Sequence, residues 1–220
     1  MINSAAGAGG SEHVVGTWQM IEAERAAQAD ALAALPASDW DRPSLCVGWT
    51  VRDVVAHLID TATATPASFA RRFVASGFRF PVMVRRNLAA IRDGRTDAQL
   101  LELLRSRVST RTAPPGPAVS WLGETIVHGE DVFRSLGPYR EHPPAHLVAV
   151  ARFYAGSNAL IGSKRRIRDV VLRATDADWW HGSGPEVKGP MVALVMAMTG
   201  RVAALDDLRG EGVKVLRRGP

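Results

Sequence analysis

GETIVHGEDVFRSLG (123–137) sets Glu124 and His128 four residues apart. On an α-helix that spacing leaves the two side chains about 40° apart around the axis, on one face. One helix can therefore supply two metal-ligating groups. WTVRDVVAHLID (49–60) carries a third, His57. Its Val51, Val54, Val55, Leu58 and Ile59 follow the i, i+3, i+4, i+7, i+8 pattern of a core-facing stripe, and His57 falls beside that stripe. If these two helices pack together, three nitrogen and oxygen donors converge. A fourth position then stays open for water or substrate, the arrangement of catalytic rather than structural zinc.

Working outward, Thr50 is a good N-cap for the His57 helix, and Asp53 three residues on completes a capping-box pattern. Residues 11–35, with Val14, Val15, Trp18, Ile21 and Leu32 in an alanine-rich setting, predict a long amphipathic helix ended near Pro36. Pro66 and the basic, aromatic stretch around Phe78–Pro81 are expected to bend or interrupt the chain. Thr96 and Asp97 then open a helix over DAQLLELLRSRVSTR. After the APPGPA loop (113–118) a fourth helix runs from about Val119 to Leu136, closed by Gly137 and Pro138. Four helices predict a bundle, whose interior is where such folds build metal sites.

Beyond EHPPAH (141–146), LVAVARFYAGSNALI predicts a helix, IRDVVLRATD a strand and WWHGSGPEVKG a turn-rich second strand region. MVALVMAM then predicts a short buried helix, and VKVLRR a last strand. The shift in apolar period from about 3.6 to about 2 marks a change of architecture. The fold class expected is α+β, mainly α: a four-helix metal-binding bundle over residues 11–145, then a small α+β module over 146–220.

A chain of 220 residues, 46% hydrophobic, is an ordinary globular sequence. Its longest strongly apolar run, Met191–Met198, is far short of the roughly 20 residues that span a bilayer. The N-terminal MINSAAGAGGSE lacks the basic start and apolar core of a signal peptide, so a cytoplasmic location without membrane partners is expected. The single cysteine, Cys46, excludes an internal disulfide and any multi-cysteine zinc site. Residues 71–111 hold ten arginines against Asp93, Asp97 and Glu102. Arginine outnumbers lysine 24 to 3 throughout, and neither aromatic interleaving nor a reader motif accompanies the charge. A solvated arginine face is therefore expected, with no nucleic-acid partner.

CVGWTVRDVVAHLID (46–60) together with GETIVHGEDVFRSLG resembles the mycothiol-dependent maleylpyruvate isomerase family, within the wider DinB-like metalloenzyme superfamily. The likeness runs over most of residues 14–137, and the tail at 187–216 also resembles the family's C-terminal module. It implies a DinB-like up-down bundle in which His57, Glu124 and His128 bind a divalent metal, usually taken as zinc. It also implies mycothiol as a low-molecular-weight thiol cofactor, which adds to the cis double bond of maleylpyruvate, permits rotation and leaves as the trans isomer forms. Related DinB-like enzymes transfer the thiol instead. Zinc suits the mixed nitrogen and oxygen set, though nickel, iron and manganese accept similar ligands.

Around this triad, Asp131 shares the face of His128 and suits an outer role, orienting the imidazole. Arg201 is the candidate catalytic residue, a cation for acidic thiol conjugates or dicarboxylates, against the more common role of a helix C-terminal arginine complementing the macrodipole. Arg52 and Arg134 flank the ligand helices. Cys46 either approaches the metal or the cofactor or is a small buried apolar residue. Trp49 and Trp121 either line a pocket or pack the core. The function expected is a metal-dependent enzyme using a small thiol for isomerisation or S-transfer on a small electrophilic molecule. The alternative is a non-catalytic small-ligand binding protein on the same scaffold.

Overall fold

The structure, a computed structural model, describes residues 8–137, 140–159 and 161–219, with side chains described from residue 16 onward. Val14, Val15 and Pro138, used above, lie outside the described side chains and residues. The chain divides into two compact units, Met1–Tyr139 and Arg140–Pro220.

In the first unit, α1 (Ala8–Ala33) packs against α6 (Ala118–Leu136) and α5 (Asp97–Arg105). The second helix, α2 (Val51–Thr63), packs against α5, α6 and α4 (Phe80–Arg92). Ala29 and Leu32 of α1, Val54, Val55, Leu58 and Ile59 of α2, Leu100 and Leu104 of α5, and Val132 and Phe133 of α6 meet in one buried cluster. Burying each of the larger side chains contributes about 1.5–3 kcal/mol. The described residues thus form a helical bundle followed by a unit with a small sheet, the mainly helical α+β class expected.

The segment expected to interrupt the chain instead forms two helices, α3 (Pro66–Ala75) and α4. Pro66 and Pro81 sit in the first turns of these helices. There the missing N–H has no intrahelical partner to lose, and the fixed φ favours the helix. Proline here starts structure rather than breaking it. Thr65 and Ser68 form a reciprocal capping box at α3. The α5 helix is shorter than DAQLLELLRSRVSTR suggested, ending at Arg105. At that end the Ser106 hydroxyl donates to the Leu103 carbonyl, a local bond that competes with helix propagation.

In the second unit, α7 (Pro144–Gly156) and a short α8 (Ser163–Arg166) precede a three-stranded sheet of β1 (Val171–Ala174), β2 (Trp180–Gly182) and β3 (Glu186–Gly189). The strand order is β2-β1-β3, with β2 antiparallel and β3 parallel to β1, Leu172 opposite both His181 and Val187. The apolar helix α9 (Met191–Met198) packs on this sheet and on α7. VKVLRR is a helix, α10 (Gly212–Arg218), not the last strand expected. Its buried residues Gly212 and Leu216 are four apart, the helical period, which so short a window cannot distinguish from alternation. Among the described residues no helix is long and apolar enough to cross a membrane.

At the start of α2 the Thr50 hydroxyl accepts the Asp53 N–H at 3.2 Å and Asp53 Oδ2 accepts the Thr50 N–H at 3.0 Å. Burial pushes the Asp53 carboxyl up, but the Thr50 backbone bond, Arg92 at 2.6 Å and the Thr50 hydroxyl outweigh it and hold it below its ordinary value. Thr50→Ala is expected to destabilise the protein by about 1 kcal/mol. The check is a lower urea midpoint with an unchanged denaturant slope.

Candidate metal centre

Residues 43–50 fold back on themselves before α2 begins. Ser44 N–H donates to Trp49 O at 2.9 Å and Trp49 N–H to Cys46 O at 3.0 Å, closing a turn over Cys46–Trp49. Gly48, third in that turn, has φ +78°, as a type II turn requires. Leu45 N–H donates to the Asp131 carbonyl at 2.9 Å, so the loop is fastened to α6.

On α6, Glu124 and His128 face the side of α2 that carries His57. His57 Nε2 lies 3.4 Å from Glu124 Oε1, and the His57 and His128 ring centroids are 4.9 Å apart at 85°. One donor atom from each of the three lies within 4.8 Å of the others. Two ligands bound at about 2.0–2.1 Å to one tetrahedral ion are separated by about 3.3 Å. The spacing therefore fits a common cation. Glu124 Oε1 and His57 Nδ1 are buried without a hydrogen-bond partner. Each side chain of the triad nevertheless keeps about 15% exposure. Trp49 lies over both imidazoles, 5.1 Å from His57 and 6.3 Å from His128.

The electrostatics run the same way. Burial, then the nearby charge of His128, push the His57 imidazole down from 6.5 to about 3, so at neutral pH its lone pair is free. Burial pushes the Glu124 carboxyl up, against His128, a bond from Thr61 and the charge of Arg25, with Asp60 adding to the rise. Both groups are disfavoured in their charged forms by a dry site.

Asp131, fully buried, accepts from His128 Nδ1 at 3.0 Å and from Cys46 Sγ at 3.0 Å, both at Oδ2. With the proton on Nδ1, His128 presents Nε2. This is the orienting bond that the sequence suggested for Asp131. Cys46, His128 and Asp131 are themselves a second set of close donors, but these hydrogen bonds join them to one another.

The other residues singled out in the sequence are placed as follows. Arg52 pairs with Asp41 and Asp97, and Arg134 pairs with the buried Glu130 at 2.6 Å, so both are structural. Trp121 is partly buried, its indole Nε1 without a hydrogen-bond partner. Arg201 belongs to the second unit. Its N–H donates to Met196 O at 3.1 Å, while Gly200 N–H, at φ +86°, donates to Ala197 O, which together close α9 in a Schellman motif. The sequence reading missed Arg25 of α1, which is 5% exposed and feels the Glu124 charge. Its Nη1 donates to Thr110 O at 2.9 Å and to Arg107 O at 3.3 Å. The available signal was an arginine four residues from Ile21 and seven from Leu32, on the inward stripe.

The interior of a helical bundle here offers two imidazoles and a carboxylate, a donor set of the kind such bundles use to hold metal ions. Residues 21–114 match the family model of the mycothiol maleylpyruvate isomerase N-terminal domain. That match includes His57 and ends before Glu124 and His128. Two solved structures are similar: mycothiol-dependent maleylpyruvate isomerase (TM-score 0.61) and its histidine-to-alanine mutant (TM-score 0.60). Each is 14% identical, over 90% of this chain and 92% of the other, a likeness of fold. No curated protein matches the chain by sequence.

Because His57 is pushed down in the folded state, the unfolded chain binds its proton first as pH falls. In the metal-free protein stability is therefore expected to fall from about pH 6.5 towards pH 3, by on the order of 4 kcal/mol at the acid end. His57→Leu flattens that part of the profile, measured as urea midpoints against pH.

Proposed function

We propose that the chain is a divalent-metal enzyme that uses a small thiol for isomerisation or S-transfer on a small electrophilic molecule. His57, Glu124 and His128 hold the metal, zinc in the first instance. The observation that carries this reading is the meeting of three donors from two helices around a buried carboxylate oxygen without a hydrogen bond. The family-model match over residues 21–114 and the named activity of the similar structures support a thiol-dependent reaction, with mycothiol as the thiol and maleylpyruvate-like compounds as the class to screen.

The metal, when bound, supplies the positive charge that keeps a coordinated thiol deprotonated near neutral pH. The chain's own residues prepare that place. Burial keeps His57 neutral, as a ligand must be. Asp131 holds the Nδ1 proton of His128 and so fixes ring orientation and tautomer. Trp49 shields one side of both rings from water. Arg25 favours the ionised form of Glu124, which donates its oxygen as carboxylate.

His57→Ala and His128→Ala are each expected to lose stoichiometric metal by elemental analysis, and thiol-dependent turnover with it. Equal metal in wild type and both variants would refute the assignment. Asp131→Ala, with the triad intact, is expected to weaken metal binding by about 10–100-fold, measured by competition with a chromogenic chelator.

A further inference from the structure

The helical pair α3–α4 carries a surface that the metal site does not use. From residue 61 to residue 92 there is no aspartate or glutamate, while six arginines occur, at 71, 72, 79, 85, 86 and 92. Arg72 and Arg92 are engaged with Asp60 and Asp53, and Arg86 donates to the Ala75 carbonyl. Arg71, Arg79 and Arg85 are exposed, and among the described residues they form no ion pair. Alongside them stand Val74, 57% exposed, Phe78, 67%, and Phe80, 52%, half of the six large apolar residues so exposed among those described. α3 buries no residue. Phe78 is also the one non-glycine residue described with positive φ, +59°. Its edge-to-face contact with Phe73, 5.5 Å between centroids, belongs to the Schellman ending of α3, yet leaves most of the ring open.

We propose that the tip joining α3 and α4 docks on an anionic lipid surface. Phe78, Phe80 and Val74 enter the headgroup region, and Arg71, Arg79 and Arg85 contact lipid phosphates. The charge favours an anionic partner and disfavours a second copy of the same tip, which would set arginine against arginine. The apolar groups decide the kind of anion. A rigid partner needs a cavity shaped for Phe78, whereas an interface takes up protruding aromatic rings wherever they fall and leaves guanidinium groups at phosphate depth. Gly77, beside Phe78, has open space around it, which fits a convex tip rather than a groove.

Co-sedimentation of the full chain with vesicles tests this. Wild type is expected to pellet with phosphatidylcholine vesicles containing about 30% phosphatidylglycerol, not with pure phosphatidylcholine, and to be released by about 0.5 M salt. Each arginine reversed among Arg71→Glu, Arg79→Glu and Arg85→Glu lowers partitioning by about fivefold or more. The double variant Phe78→Ser/Phe80→Ser lowers it by roughly tenfold. All substituted side chains are exposed, and an unchanged circular-dichroism melt confirms that the fold is kept. Equal pelleting with both vesicle types overturns the proposal, as does a double variant that binds like wild type. Loss only on arginine reversal, matched by equal retention on heparin, also overturns it in favour of undirected polyanion attraction. So does a concentration-dependent dimer that the double variant abolishes, without vesicle binding.

Discussion

Asp131 ties the site together. Its carbonyl accepts the Leu45 N–H, and its side-chain Oδ2 accepts both the His128 Nδ1 proton and the Cys46 thiol, all within a fully buried position. One residue thus fixes the loop before α2, the turn that sets Trp49 over the imidazoles, and the orientation of a ring on its own helix. Burying a carboxylate costs several kcal/mol unless its acceptors are filled. Here the fillers are the groups that the site needs held still, so the cost of burial and the precision of the site have a common origin.

The triad shows the opposite balance. His57 and Glu124 are 3.4 Å apart and could form an ion pair, yet burial pushes the imidazole down and the carboxyl up. Desolvation of two charges outweighs their mutual attraction when no further hydrogen bonds assist. Arg25, His128 and Thr61 act on Glu124 in the other direction, towards its ionised form. The low polarity that disfavours the pair also strengthens attraction to a divalent ion, since Coulomb energy scales inversely with the effective dielectric. A pocket unfavourable to isolated protein charges is in this sense favourable to a cation with two positive charges of its own.

Much of this was legible in the sequence, for identifiable reasons. The α2 stripe and the Thr50–Asp53 cap are local patterns, and the i, i+4 spacing of Glu124 and His128 is imposed by helix geometry once α6 is recognised. The site is also where local patterns gave out. Arg25 and Gln28 occupy inward positions of α1 that a hydrophobic stripe would fill, so its apolar pattern is blurred where it approaches Glu124. Pro66 and Pro81 read equally as breakers or as first-turn residues, and only tertiary packing of α4 on α2 decides between them. The α10 helix was hidden by a short alternating string, because burial of Gly212 and Leu216 depends on partners distant in sequence.

The extent of the family match separates two kinds of knowledge about this chain. It spans residues 21–114 and so covers the scaffold helices with His57, but it stops before α6, which brings two of the three donors. The role proposed for α6 therefore rests on chemistry and geometry: donor types, a four-residue spacing, and distances compatible with a single ion. Fold likeness at 14% identity has the same physical basis. A bundle tolerates many apolar substitutions so long as volume and patterning are kept. Two helices set at a fixed separation then present whatever donors occupy the facing positions. A facing donor set is thus compatible with wide change elsewhere in the bundle, because the residues around an opening can vary without disturbing the scaffold.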